Sequence, residues 1–285
     1  MDALLLQLLL SVEVWNMARD RYEHFAERYD LFFGSFDEHD PVIVEFFRAL
    51  FERHNVRSVL DCACGTGREL HLFHSLGFEV YGSDISEAML AQAERNLASR
   101  GEDVPLARVD FRELGRHYDR KFDAVVCLSS AFFEVPDEAE LLKAFSSMHG
   151  VLREGGILVL TSGTSDKMWR EKPRFIPEVN RGDFTRLFVI DYLGNGARFN
   201  VLDIFPGGAH RDLLVWSITY DRVYLRDDLE RVLEAADFSE SKFFGSYQFQ
   251  PYDKATSDIL IAVAEKWDSR GLSERVAREM RSREL

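Results

Sequence analysis

Cysteine is scarce in this chain: three in 285 residues, at positions 62, 64 and 127. That is too few for a disulfide framework. Cys62-x-Cys64, with no second pair and no ordered histidine cluster, makes a poor zinc site, so no metal is expected. The expectation is reduced, buried thiols in a cytoplasmic protein. Positive charge is also in short supply, with 35 Lys and Arg against 49 Asp and Glu and a formal net charge of −14. No basic stripe is present to meet a phosphate backbone, so nucleic acid is not an expected partner. Long apolar runs are missing as well. The segment Leu4 to Leu10 is too short to span a bilayer, and Asp2 with no Lys or Arg ahead of it does not make a secretory n-region, so no membrane role is expected.

What the chain has is apolar residue in plenty, 46%, with mixed charge. Wholesale disorder is excluded, and 285 residues can bury a full core as one α/β domain with an insertion or as two lobes. The most informative stretch is Ser-Val-Leu-Asp-Cys-Ala-Cys-Gly-Thr-Gly, residues 58 to 67. Val56 to Cys62 reads as a buried parallel strand and Arg68 to Leu76 as the helix after it, so Gly65 and Gly67 sit where strand turns into helix. Two cofactors compete for such a turn. A dinucleotide site wants a third glycine where this chain has Leu70. That bulk, and Asp61 just before the turn, suit a cationic ligand without phosphate better than NAD.

A second strand, Phe78 to Ser83, ends at Asp84, placed to accept the ribose hydroxyls of an adenosine outside the strand ends. Ser86 caps a helix over Glu87 to Arg100. A third strand, Pro105 to Val109, leads to Asp110-Phe111. A fourth, Phe122 to Leu128, is followed by Ser129-Ser130, and a Gly-Gly turn precedes a fifth that ends at Leu160.

Hydrophobic-hydrophobic-Asp-x-x-x-Gly-x-Gly resembles motif I of the class I S-adenosylmethionine (SAM) dependent methyltransferases. The resemblance covers about residues 18 to 165 and is nearest in look to small-molecule N-methyltransferases of the glycine/sarcosine and aminosugar types. It implies an α/β fold: a doubly wound, seven-stranded Rossmann-like sheet with strand seven antiparallel between five and six. It implies SAM as cofactor and S-adenosylhomocysteine as product. The cofactor loop would be Asp61, Ala63, Gly65 and Gly67. Ile85 and Met89 would lie against the adenine, with Asp110 near its amino group and Phe111 beside the ring. Leu128, Ser129 and Ser130 would stand at the methyl-transfer centre. Tyr22-x-x-Phe-Ala-x-x-Tyr29-Asp resembles the segment that folds over the cofactor's amino-acid end. The departures concern the acceptor. Glycine methyltransferases carry Asn and Arg where this chain has Ser130 and Gly163, and the aminosugar enzymes have His where it has Phe133. Glycine is therefore doubtful as substrate, and no catalytic base is assigned among Tyr22, His24, Tyr29 and Glu134.

The expected organisation is an N-terminal extension (1–17), the SAM-binding core (18–165), an antiparallel lid (166–224), the remaining core (225–267) and a charged C-terminal helix (268–285). The lid is read as three strands, Phe184 to Tyr192, Ala197 to Phe205 and Leu213 to Tyr224, with turns at Gly194-Asn-Gly196 and Pro206-Gly-Gly208. Alternation puts Arg186, Phe188 and Ile190 on one face and Leu187, Val189 and Asp191 on the other. Arg174, Arg186 and Arg198 are candidate anchors for an anionic acceptor, and Trp169, Phe175, Phe199 and Trp216 candidate pocket walls. Residues 1 to 16 have two readings: a docking helix, or an upstream start added to a protein beginning at Met17, which the family-like segment just after Met17 favours. The function expected is methyl transfer to a nitrogen or oxygen of a small metabolite. The alternatives are a protein or RNA methyltransferase and a non-catalytic SAM-binding regulator, with a Rossmann oxidoreductase further off. A homo-oligomer is left open.

Overall fold

A computed structural model describes residues 20–206 and 212–267; the extension over 1–17 and the helix expected over 268–285 lie outside the described residues. The apolar runs form a seven-stranded sheet. Its strands are β1 (Ser58–Asp61), β2 (Glu79–Asp84), β3 (Leu106–Arg108), β4 (Phe122–Cys127) and β5 (Leu152–Ser162), joined late in the chain by β10 (Phe238–Phe244) and β11 (Leu260–Lys266). The spatial order is β10-β11-β5-β4-β1-β2-β3. β1 to β5 run parallel, and β11 lies antiparallel between β5 and β10, as the family pattern implied. Strands covered on both faces need apolar residues at every position, which is why β1, β4 and β11 read as runs rather than as alternation. Val59 and Leu60 show it: both are fully buried, one in the core on each side of the sheet.

Helices cover both faces. α1 (Pro41–Arg53) starts with Asp40 accepting from the Val42 amide and Pro at its first position, and it buries Phe46, Phe47, Leu50 and Phe51. α2 (Arg68–Ser75) and α3 (Glu87–Ala98) follow β1 and β2. α4 (Glu138–Val151), capped by Asp137, precedes β5, a short α5 (Asp166–Glu171) follows it, and α6 (Arg226–Ala235) returns the chain to β10. The strand order turns back on itself between β1 and β4. Connections leave these two strands in opposite directions and open a crevice at their C-terminal ends.

The insertion is a separate antiparallel sheet of four strands, not three: β6 (Phe175–Asn180), β7 (Thr185–Leu193), β8 (Gly196–Phe205) and β9 (Asp212–Tyr220), in that order. β6 escapes sequence reading because Pro177 and a register shift between Pro177 and Val179 break its alternation at the sheet edge. The last lid strand ends at Tyr220 rather than Tyr224, since Val223 and Tyr224 leave the sheet to enter the core. Strand six begins at Phe238, three residues before the expected Ser241.

Candidate functional site

At the crevice, the C-terminal ends of β1 and β2 lie side by side, Asp61 opposite Gly82. The turn after β1 holds Gly65 at φ +52 and Gly67 at φ +85, a region that glycine enters without steric cost. Gly67 precedes α2 and meets α3, where an added Cβ would stand 3.1 Å from that of Ala93; at Gly65 it would meet nothing within 4 Å. Asp84 ties the two strand ends together, accepting from the Gly65 amide and the Ser86 amide, each at 2.9 Å. Asp61 is buried and accepts from the Ala63 amide at 3.2 Å. Burial raises the pKa of Asp61, Glu69 and Asp84 above the ordinary carboxylate range, and at Asp61 the charge of Glu69 raises it further. Asp61 is buried, Glu69 and Asp84 are partly buried, and Arg68 stands 3.8 Å from Glu69.

The segment from Asp20 to Phe33 crosses this end of the sheet. Asp20 accepts from Ser86 Oγ at 2.8 Å and the Ala88 amide at 2.9 Å, at the start of α3. Asp30 reaches Thr66 Oγ1 in the glycine turn and accepts from Asn96 Nδ2 at 2.9 Å. Between these anchors Tyr22 donates to Glu134 Oε1 at 2.7 Å, and half-exposed Arg21 reaches Glu134 Oε2 at 2.5 Å and donates to the Thr219 carbonyl at 2.7 Å. Phe25 stacks on Trp216 of β9, ring centroids 4.1 Å apart. The segment thus bridges core and lid. Tyr22, Tyr29 and Tyr220 are each partly buried, with hydroxyl pKa values raised by desolvation first and by neighbouring carboxylates second. Burial also raises the Glu134 carboxyl, against the opposing charge of Arg21.

After β4, Leu128 is buried, and Ser129 and Ser130 both take left-handed backbone, φ +53 and +66. Two successive non-glycine residues in that region carry strain, which β5 holds in place. The Ser129 amide donates to Thr161 Oγ1 at 2.9 Å, the Ser130 amide to the Thr161 carbonyl at 2.8 Å, and the Ser130 and Ser162 hydroxyls stand 2.9 Å apart.

Comparison with known proteins places this arrangement. A family model described as a methyltransferase domain matches residues 59–156. A glycine/sarcosine N-methyltransferase of Parasynechococcus marenigrum is 35% identical over 270 residues, 89% of this chain and 87% of that protein. The chain belongs to the SAM-dependent methyltransferases. A second glycine/sarcosine N-methyltransferase, of Aphanothece halophytica, is 29% identical across 78% of this methyltransferase and 81% of its own length. Among solved structures, a SAM-dependent methyltransferase from Clostridium acetobutylicum shares the fold with a TM-score of 0.71 at 20% identity, covering 87% of this chain and 99% of the other.

The donor set fits SAM. An open glycine turn admits a ligand against the backbone, and the carboxyls of Asp61, Glu69 and Asp84 suit a ligand that is cationic at both its sulfonium and its amino group. Other expected residues are placed less simply. Ile85 is 57% exposed beside the crevice, whereas Met89 is buried under the Ser86 cap. Both Asp110 oxygens are engaged by Arg112, within 3.0 Å or less, and Phe111 packs against the core around Leu114.

In the lid, the expected alternation holds but the anion anchors do not. Arg186 is fully buried: it pairs with Asp203 at 2.6 and 2.8 Å, donates to the Arg28 carbonyl at 2.9 Å and lies 4.1 Å over the Phe32 ring. Its fork is filled, so it fastens the N-terminal segment to the lid and is not open to an acceptor. Arg174 is an exposed partner of Asp191, and Arg198, on the outer face, donates to Thr219 Oγ1. Phe175 points outward at 60% exposure, so it walls no pocket, whereas Phe199 meets Tyr220 at 5.7 Å and Trp169 meets Tyr192 at 5.5 Å.

Asp20, Asp30, Tyr220 and Thr161 were missed from the sequence. Only Asp30, adjoining the Tyr29 motif position, left any signal there.

Proposed function

We propose that this methyltransferase acts on the amine nitrogen of a small metabolite and that Glu134 receives the proton such an amine must lose. The carrying observation is the Glu134 carboxyl, partly buried at the junction of core and lid, accepting from Tyr22 and raised in pKa by desolvation there. A neutral nitrogen can attack a methyl group and an ammonium cannot, so a carboxylate placed to take that proton is what such an acceptor requires. The names of the relatives, glycine and sarcosine, support an amine. Ser130 and Gly163 stand against glycine itself.

When bound, SAM supplies an electrophilic methyl on a sulfonium and leaves as S-adenosylhomocysteine. In this reading Asp84 holds the ribose hydroxyls, and Gly65, Gly67 and Ala63 admit the ligand to the backbone. Asp61, Tyr22 and Tyr29 enclose the amino-acid end. Exposed Ile85 takes one side of the adenine and Phe111 flanks it. Leu128, Ser129 and Ser130 border the reacting centre, their backbone held by Thr161 so that nothing need reorganise during transfer. The sheet within the 166–224 insertion, joined to the core through Phe25 and Trp216, excludes water. The three cysteines are free and buried, which supports a cytoplasmic setting; among the described residues no helix is long and apolar enough to cross a membrane.

The test is a panel of small amines, glycine, sarcosine and an aminosugar among them, against matched alcohols, with S-adenosylhomocysteine release as readout. Turnover confined to amines supports the reading; turnover of alcohols alone overturns it.

A further inference from the structure

Ser130 stands where a helix cap stands and does not cap. It opens the single turn Ala131–Glu134, a place from which a serine oxygen ordinarily accepts from an amide of that turn. Its left-handed backbone, φ +66, carries the side chain elsewhere: the oxygen makes no capping bond and lies 2.9 Å from Ser162 Oγ at the end of β5. Ser162 is shut from water at 2% exposure and has two further contacts. Its oxygen accepts from the Thr164 amide at 3.0 Å and lies 3.2 Å from the Thr164 carbonyl.

A hydroxyl has one proton to give and two lone pairs with which to accept. An amide can only donate and a carbonyl can only accept, so a single arrangement makes all three contacts of Ser162 hydrogen bonds together. Its proton goes to the Thr164 carbonyl, and its lone pairs receive the Thr164 amide and the Ser130 hydroxyl. The proton of Ser130 is thereby turned toward β5. Both lone pairs of its partly buried oxygen remain, and among the described residues no donor meets them.

We propose that Ser162 keeps Ser130 an acceptor only, and that the Ser130 oxygen selects amines that still carry an N–H, so that primary and secondary amines are methylated and transfer ends at the tertiary amine. This rests on the amine reading above. Ser130 and Glu134 begin and end one turn, about 8 Å apart at about 2 Å per residue, so a nitrogen between them can give one proton to Glu134 and hold another toward Ser130. An ammonium that loses a proton to Glu134 is a neutral amine. Its lone pair forms the new C–N bond while the bond from methyl to sulfur breaks, that electron pair staying on sulfur, and the nitrogen takes up the positive charge. An N–H on that nitrogen makes a charge-assisted bond to Ser130 that strengthens as the charge develops, a gain specific to the transition state. A tertiary ammonium gives its one proton to Glu134 and brings no N–H to Ser130. The oxygen is then left facing an apolar group, a mismatch that discriminates more strongly than size does.

The test gives the full chain SAM with three matched series: methylamine, dimethylamine and trimethylamine; glycine, sarcosine and dimethylglycine; and an aminosugar with its N-methyl and N,N-dimethyl forms. S-adenosylhomocysteine release is the readout. In the wild type, kcat/KM for the secondary amine should exceed that for the tertiary one by at least about 100-fold. Ser162→Ala frees the Ser130 proton to meet the nitrogen lone pair. That should lower the ratio by at least about 10-fold, through a smaller kcat for the secondary amine and a smaller KM for the tertiary one, while Ser162→Thr, which keeps the hydroxyl, retains it. Exclusion of tertiary amines by bulk alone, or a merely structural part for Ser162, leaves the ratio unchanged in Ser162→Ala, and that result overturns the proposal. Should Ser162→Ala fail to fold by its melting curve, Ser130→Ala decides on the same ratio, since it leaves both bonds to Thr164 in place. Tertiary amines turned over as fast as secondary ones by the wild type overturn this proposal and leave the amine reading standing; turnover of no amine in the series removes both.

Discussion

Leu70 occupies the space that Gly82 leaves open: a Cβ at Gly82 would stand 2.5 Å from Leu70 Cδ1 and 2.7 Å from Leu106 Cδ2. A dinucleotide turn makes this room with a glycine on the helix. Here the glycine is on β2 and the bulk is on α2, so the same close approach is reached from the other side. Gly82→Ala should cost about 1–3 kcal/mol by overpacking. Leu70→Ala in the same chain should recover part of that loss, giving a coupling of at least about 0.5 kcal/mol in a urea double-mutant cycle. Additive losses would contradict this packing.

Asp84 joins the glycine turn to the start of α3 through two amide donors, and in the proposed reading it holds the ribose. Asp84→Asn keeps an acceptor for one of those amides and removes the charge. SAM affinity should fall by about 10- to 100-fold, on the order of 1.5–3 kcal/mol for hydrogen bonds to a charged group. Titration calorimetry beside a melting curve separates this from unfolding; affinity unchanged from wild type would remove Asp84 from the cofactor site.

The desolvated carboxyls set a pH dependence whose sign follows from their shifts. Burial raises Asp61, Glu69, Asp84 and Glu134, so between the unfolded value, about 4, and the raised folded value the native state binds more protons than the unfolded one. Each such group then favours folding at low pH and loses that contribution as pH rises through the folded pKa. Burial lowers His39, to about 4, and also His54 and His149, and these act the opposite way below about pH 6.5. The difference between wild type and Asp61→Asn isolates one carboxyl. Without SAM, the variant should be the more stable at pH 7, by about 1.4 kcal/mol per unit of pKa shift removed, with the advantage shrinking toward pH 5. Chemical denaturation at several pH values checks it.

The parts legible in the sequence are those whose physics is local. β1, β4 and β11 are continuous apolar runs, the Gly65–Gly67 turn and the Ser86 cap are short-range patterns, and together they located the crevice. β6 was illegible because an edge strand containing Pro177 needs no alternation. That the fork of Arg186, a candidate anchor for an anionic acceptor, is already filled was illegible because its partner, Asp203, comes from the neighbouring strand, and its carbonyl partners come from residues 28 and 29. Asp20 gave no sign of reaching Ser86 and Ala88, since nothing in either segment encodes the other. Side chains that meet only after the lid and core have packed left no period to read.

Glu134 accepts from Tyr22, and in the proposed reading it takes the proton of the amine. Glu134→Gln should leave SAM affinity unchanged and lower kcat/KM at neutral pH by about 100-fold, within the range for a lost general base. The loss should narrow as pH rises and the amine arrives already neutral. A deficit of constant size across the pH profile would assign Glu134 a structural part instead.

The most direct measurement is to give the protein methyl-labelled SAM with an extract of its own cells and to count label separately in the small-molecule, protein and nucleic-acid fractions. The account predicts label in the small-molecule fraction, on nitrogen, matched one for one by S-adenosylhomocysteine. Label in protein or RNA, or none anywhere while SAM remains bound, would contradict it.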